Sequence, residues 1–206
     1  MKNKALVVCC ESEIDITKFS DTHYLVGVER GCLDIIKKKR KIDLAVSDFD
    51  SVTKDELKLI ESNSSKLIKL DCEKDNIDGI EAMDFTTEIL GVSDITAIIK
   101  PTKRIDFNLS VIELINKYNV KIINDFSILF KLKKGITELN YLQYESFTYV
   151  SLFPLEKTNI TIKNMKYNVE NLIIDKLSTR AYSNEMLYNV NPILEIDNDL
   201  IIIFTK

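Results

Sequence analysis

Two aspartates one residue apart, Asp48 and Asp50, close the apolar run Ile42-Asp43-Leu44-Ala45-Val46-Ser47 and are the first candidates for chemistry. The run is too short for an independent helix and rich enough in aliphatic residues to be a buried strand over 42–47. Alternate residues of extended chain face the same side, so the two carboxylates converge at the strand's carboxyl end, where ligands collect in open α/β sheets. Held that close they repel, unless one keeps a proton or a divalent cation lies between them. Oxygen ligands without histidine or cysteine nearby favour magnesium or manganese over zinc. The plainer reading makes Asp48 a helix N-cap and Asp50 a loop residue.

A second acidic stretch reads Asp71-Cys72-Glu73-Lys74-Asp75-Asn76-Ile77-Asp78. Asp75 and Asp78 are three apart and are predicted on one face of the first turn of a helix beginning near Asn76. Acidic residues there also serve a helix through its dipole and caps, so this stretch has a purely structural reading too. Combined with Asp48 and Asp50, it gives two neighbouring strand ends that supply carboxylates to one metal site. A third strand-end loop, Gly27-Val28-Glu29-Arg30-Gly31, has glycines that permit a tight turn or close approach of a ligand. Lys37-Lys38-Lys39-Arg40-Lys41 reads as a solvated helix end and His23 as a loop residue.

These residues need a scaffold, and the hydrophobic pattern supplies one. Strands are predicted at Ala5–Cys9, Tyr24–Val28, Ile42–Val46, Lys66–Leu70, Ile95–Ile99 and Val120–Ile123, with helices at Gly31–Lys38, Lys54–Glu61, Asn76–Leu90 and Phe107–Lys117. That alternation defines an α/β domain with a largely parallel sheet over residues 1–124. From 125 to 206 the pattern changes to short β-branched or aromatic runs, at 126–132, 147–153, 159–162, 172–174, 193–196 and 200–204. They predict a small all-β sandwich domain. Ligand sites are common where two such domains adjoin.

Composition narrows the classes. At 45% hydrophobic and 29% charged, the chain is ordinary for a globular protein. Its net charge of −4 speaks against general nucleic-acid binding, and an anionic substrate would need a metal or a local cationic cluster. The five glycines form neither a Walker A loop nor a GxGxxG fingerprint. No apolar run is long enough to span a membrane, and Met1-Lys2-Asn3-Lys4 leads only into 5–10 before Glu11, so a cytoplasmic location without membrane attachment is expected. Cys9, Cys10, Cys32 and Cys72 lack metal-binding spacing and are expected to be reduced thiols, mostly buried.

The motif order resembles the thiamine pyrophosphokinase family, whose patterns run GVDRG or DGGA, GDFDS, then KDxTD. Here they read Gly27-Val28-Glu29-Arg30-Gly31, Ser47-Asp48-Phe49-Asp50-Ser51 and Lys74-Asp75-Asn76-Ile77-Asp78. Ser151-Leu152-Phe153-Pro154-Leu155 is similar to the family's S-L-x-P-L strand, and Ser183-Asn184-Glu185 to its S-N-E motif. The departures are Glu29 for Asp, Ser47 for Gly and Ile77 for Thr. In the GGRxDH motif, Thr102, Lys103 and Phe107 replace both glycines and the histidine around the retained Arg104 and Asp106.

The resemblance implies transfer of pyrophosphate from ATP to the hydroxyl of thiamine, giving thiamine diphosphate and AMP. Mg²⁺ would be held by Asp48, Asp50 and Asp78, with Asp75 beside them in the catalytic set. Asp78 or Asp50 would take the proton. Glu29, Arg30, Lys74, Arg104 and Asp106 would bind the nucleotide, with Arg104 first among the phosphate cations. Ser183 and Asn184 would serve thiamine from the β domain, with Tyr182 or Tyr188 as stacking surface. A homodimer with sites at the subunit interface is also implied. Two rivals stand beside this reading. One is a homologue that binds thiamine or nucleotide without turnover, given Ile77 and the lost glycines. The other is a phosphatase of the haloacid-dehalogenase type, with Asp48 as nucleophile and Asp50 as general acid, although that motif normally ends the first strand of its domain and two strands precede it here.

Overall fold

A computed structural model describes residues 2–73 and 75–206. The chain divides into two compact units, 1–125 and 126–206. The first alternates strand and helix: β1 (Lys4–Val8), β2 (His23–Gly27), α1 (Gly31–Lys37), β3 (Leu44–Ser47), α2 (Lys54–Asn63), β4 (Leu67–Lys69), α3 (Asp78–Leu90), β5 (Asp94–Ile98), α4 (Ile105–Tyr118) and β6 (Lys121–Ile123). Its strands are ordered β4-β3-β2-β1-β5-β6, and every pairing among them is parallel. Ala5 to Val8 of β1 and all of β3 are buried, as strands covered on both faces must be. The carboxyl ends therefore share one edge, and the loops after β2, β3, β4 and β5 open there.

Close packing at that edge depends on glycine. A side chain at Gly31 would place its first carbon 1.9 Å from the carbonyl oxygen of Val8, so α1 can start against the end of β1 only without one. At Gly27 the same carbon would lie 2.5 Å from the Cys32 sulfur. Both glycines flank Glu29, and they press its loop against β1 and α1.

The helix starts differ from those the sequence predicts. Ile77 is extended and precedes α3, which begins at Asp78, while Asn76 donates its amide to Glu81 at 2.9 Å. Asp75 is thus exposed ahead of the helix and shares no first-turn face with Asp78. The next helix begins earlier than Phe107, because reciprocal bonds between Thr102 and Asn108 (2.7 and 2.9 Å) fix its start at Ile105. His23 opens β2 rather than lying in a loop, its ring edge-on to Phe19. Cys32 is buried as a whole residue, Cys9 and Cys10 are partly exposed residues whose thiols burial nonetheless raises in pKa, and Cys72 is exposed, so the expectation of mostly buried thiols fails only at Cys72.

The second unit contains β7 (Ser127–Leu132), β8 (Gly135–Glu138), the short helix α5 (Tyr141–Tyr144), β9 (Tyr149–Pro154), β10 (Thr158–Lys163), β11 (Val169–Ile174), β12 (Ile193–Ile196) and β13 (Leu200–Thr205). Antiparallel pairing gives the order β7-β13-β9 on one side and β11-β10-β12-β8 on the other. One apolar cluster draws Val150, Leu152, Leu200, Ile202 and Phe204 from the first group and Ile160, Ile162, Ile174, Leu194 and Ile196 from the second. Phe204 is its centre, stacked on Tyr144 of α5 with ring centroids 4.0 Å apart. The sequence pattern gives neither β8, whose residues are mostly exposed, nor α5, which is too short for a helical period.

In the first unit, Asp125 ties three segments together. It accepts from Lys100 at 2.7 Å and from the backbone of Glu13 at 3.0 Å. Burial raises its pKa, but Lys100 and the Glu13 amide outweigh burial and leave it lowered. A lowered carboxylate stabilises the fold above its unfolded pKa and loses that contribution as pH falls through the folded value. Asp125→Asn is therefore expected to cost about 1–2 kcal/mol at pH 7, read from urea midpoints, and clearly less at pH 2.5. An equal loss at both pH values would contradict the assignment.

Candidate active site

The register of the sheet builds the site. Gly27 of β2 lies opposite Ala45 of β3, so Glu29, two residues on, is level with Ser47. The first turns beyond these strands face each other across one strand spacing. Phe49 has a φ of 58° and Glu29 one of 50°, left-handed conformations that cost ordinary side chains energy and therefore need support from their surroundings.

That support is Glu29 itself. Its Oε1 accepts from the Phe49 amide at 2.8 Å and from the Ser47 hydroxyl, and its Oε2 accepts from the Ser51 hydroxyl. Three donors from residues 47–51 wrap around one carboxylate. Asp50 donates its amide to Asp48 Oδ1 at 3.2 Å, which closes the same turn. The result is a group of three carboxylates, Glu29, Asp48 and Asp50, each with an oxygen within 4.8 Å of the others. An octahedral ion with bonds of about 2.1 Å sets its ligand oxygens roughly 3–4 Å apart, so this all-oxygen set fits Mg²⁺ or Mn²⁺ after a small contraction. Glu29 was read from sequence only as a nucleotide contact; its signal was its position, two residues past a strand end beside β3.

Asp78 reaches the group by another route. As the first residue of α3 it sets its Oδ2 2.8 Å from the Ser47 hydroxyl oxygen, one side chain removed from the trio, so that Glu29 and Asp78 share the single proton of Ser47. The other sequence candidates are distributed as follows. Arg30 gives Nη1 to the Ser51 carbonyl at 3.2 Å and lies 3.5 Å from Glu56, so it clamps the β3–α2 turn from outside. Lys74 lies outside the described residues. Arg104 and Asp106 form an exposed ion pair at the start of α4, the guanidinium 3.9 Å from the Phe107 ring centre. Arg104 holds the Asp106 pKa below the usual carboxylate range. Thr102 and Lys103 are absent from the residues with positive φ, so the loop that lost its glycines follows a path open to any residue.

In the second unit Asn184 is buried. Its amide donates to the Tyr167 carbonyl at 2.8 Å and accepts from the Tyr167 and Glu185 amides at 3.0 and 2.9 Å. Asn184 therefore holds a loop against the sandwich, which the expectation of a thiamine contact did not include. Ser183 beside it has a φ of 57° and gives its amide to the Ser151 hydroxyl at 3.0 Å. Tyr182 lies near Phe153, while Tyr188 is 86% exposed and edge-on to Tyr141.

The thiols near the carboxylates are held toward their protonated form. Burial, followed by the negative charge of Glu29, pushes Cys32 up to about 12. Burial raises Cys9 further, with Cys10, Cys32 and Asp78 adding to it.

Carboxylates gathered beyond the ends of parallel strands place the chain among the open α/β proteins that take their ligands at that edge. The comparisons specify which kind. Residues 17–125 match the family model for the thiamin pyrophosphokinase catalytic domain, and residues 137–201 match the one for the vitamin B1 binding domain of the same enzymes. The chain belongs to the thiamin pyrophosphokinase family, a family of transferases. It is 28% identical over 187 residues to the thiamine pyrophosphokinase of Bacillus subtilis (strain 168), covering 85% of this chain and 84% of that one. Its fold is similar to that of a thiamin pyrophosphokinase family protein from Enterococcus faecalis (TM-score 0.84, 20% identity, 98% and 99% of the two chains). It is also similar to that of the Candida albicans enzyme (TM-score 0.80, 18% identity, 100% and 90%).

Iodoacetamide at pH 8 is expected to label Cys72 in the folded protein and to spare Cys9 and Cys32 until urea is added, as read by peptide mass spectrometry. Labelling of Cys32 at the rate of Cys72 would refute its burial beneath Glu29.

Proposed function

We propose that the protein transfers the β,γ-pyrophosphoryl unit of ATP to the hydroxyl oxygen of thiamine. The new bond forms between that oxygen and the β-phosphorus. The bond from the β-phosphorus to the oxygen bridging to the α-phosphate breaks, AMP leaves with that oxygen, and the hydroxyl proton passes to Asp78 or Asp50. The supporting observation is the convergence of Glu29, Asp48 and Asp50 at the strand ends of a chain in this family.

Those three residues would hold Mg²⁺, with Asp78 behind them at Ser47. The bound ion would neutralise phosphate charge and align an in-line displacement. Arg30 and Arg104 are the proposed phosphate cations among the described residues, and each has a present partner to exchange for an anion. Lys74 belongs to the same proposal through its motif. In the second unit Ser183 and Tyr182 offer a hydroxyl and an aromatic face to a cationic heterocycle, as thiamine's thiazolium requires. A homodimer and a cytoplasmic location complete the proposal. Exposed Tyr149, Tyr167, Ile173 and Leu177 on the second unit are consistent with association. The four free cysteines suit a reducing compartment, and no helix among the described residues is long and apolar enough to cross a membrane. Against a dehalogenase-type phosphatase, Asp48 follows the third strand of its sheet rather than the first.

With thiamine, ATP and Mg²⁺, the wild type is expected to release AMP and thiamine diphosphate, quantified by chromatography. Asp48→Asn is expected to lower kcat by about 10³-fold or more, in line with removing a charge that stabilises the transition state, while circular dichroism stays unchanged. Turnover by Asp48→Asn at the wild-type rate would remove Asp48 from the mechanism.

A further inference from the structure

Ser47 stands out because its hydroxyl meets two carboxylates from different elements. It is the last residue of β3 and fully buried. Its oxygen lies within hydrogen-bond distance of Glu29 Oε1, from the loop after β2, and 2.8 Å from Asp78 Oδ2, at the start of α3. Ser51 makes a comparable bond, but only to Glu29. Ser47 thus lies within hydrogen-bond distance of both the trio and Asp78.

We propose that Ser47 is a positioning residue that sets Glu29 and Asp78 at a fixed separation on the same side of β3, and so determines how tightly the trio takes a divalent cation. Two carboxylates brought together without a donor between them repel and turn apart toward water. A hydroxyl between them carries one proton, which it gives to one carboxylate at a time, so the shared donor offsets part of that repulsion, and its place on a buried strand leaves it little room to move. Partners of metal ligands govern affinity in this way, and their removal commonly costs 10–100-fold. The inference deepens the metal-assisted reading above and rests on it for the identity of the cation.

The test compares wild type, Ser47→Ala, Ser47→Thr and Ser51→Ala on the whole protein, using Mn²⁺ affinity from electron paramagnetic resonance alongside the Mg²⁺ dependence of AMP formation. Ser47→Ala is expected to weaken Mn²⁺ binding by about tenfold to hundredfold and to raise the Mg²⁺ concentration for half-maximal rate in parallel. Ser47→Thr, which keeps the hydroxyl, is expected to restore affinity to within a few-fold. In an Asp78→Asn background Ser47→Ala should cost clearly less, because one of its two partners is already changed; Ser51→Ala should cost the same in either background. If Ser47→Ala does not fold, Ser47→Cys removes the strong donor at similar volume and is read the same way. Wild-type Mn²⁺ affinity in Ser47→Ala, or equal losses in both backgrounds, would overturn the proposal. If the wild type binds Mn²⁺ yet releases no AMP, the transferase reading falls by itself, and the Mn²⁺ comparison still decides the role of Ser47.

Discussion

The structure of the site depends on one carboxylate surrounded by donors. Glu29 receives the Phe49 amide and the hydroxyls of Ser47 and Ser51, all from the turn it faces. Without that anchor the left-handed Phe49 would lose the acceptor of its amide, and the turn that carries Asp48 and Asp50 would lose the bonds that Ser47, Phe49 and Ser51 make to it. A hydrogen bond to a charged group contributes more than a neutral one, roughly 1.5–3 kcal/mol, enough to offset one unfavourable backbone conformation. Charge thus shapes the backbone, and the backbone in turn gathers further charge.

The same logic explains the packing at the sheet edge. Glu29 can reach the neighbouring turn only because Gly27 and Gly31 let its loop lie against Cys32 and the Val8 carbonyl. Arg30 then closes the outside of the turn through Ser51. Adjacent residues of one short loop, 29 and 30, grip the next loop from two sides.

Much of the first unit was legible because β1, β3 and β5 are largely apolar and α1 to α4 carry a helical period between them. Helix starts were less so. Acidic residues before α3 look like a first turn until the extended Ile77 shows otherwise, and Asn108 caps a start that its own position in the helix conceals. In the site, Asp48 and Asp50 were evident from spacing alone. The part of Glu29 was not, because it arises from sheet register, which joins residues 18 to 22 positions apart that no local pattern connects. Asn184 shows the converse: its motif was visible, but only the fold reveals an amide occupied by Tyr167 and Glu185.

The placement of β13 bears on how the chain matures during synthesis. β13 lies between β7 and β9, so Ser127 waits for Thr205, and Phe204 fills the centre of the sandwich. On a ribosome, β7 and β9 would emerge with exposed apolar edges and no strand to join them until β13 had followed, whereas β1 and β2 could pair soon after translation. The sandwich is therefore the later half to close, and a stop before β13 would leave β7 and β9 without the strand that joins them.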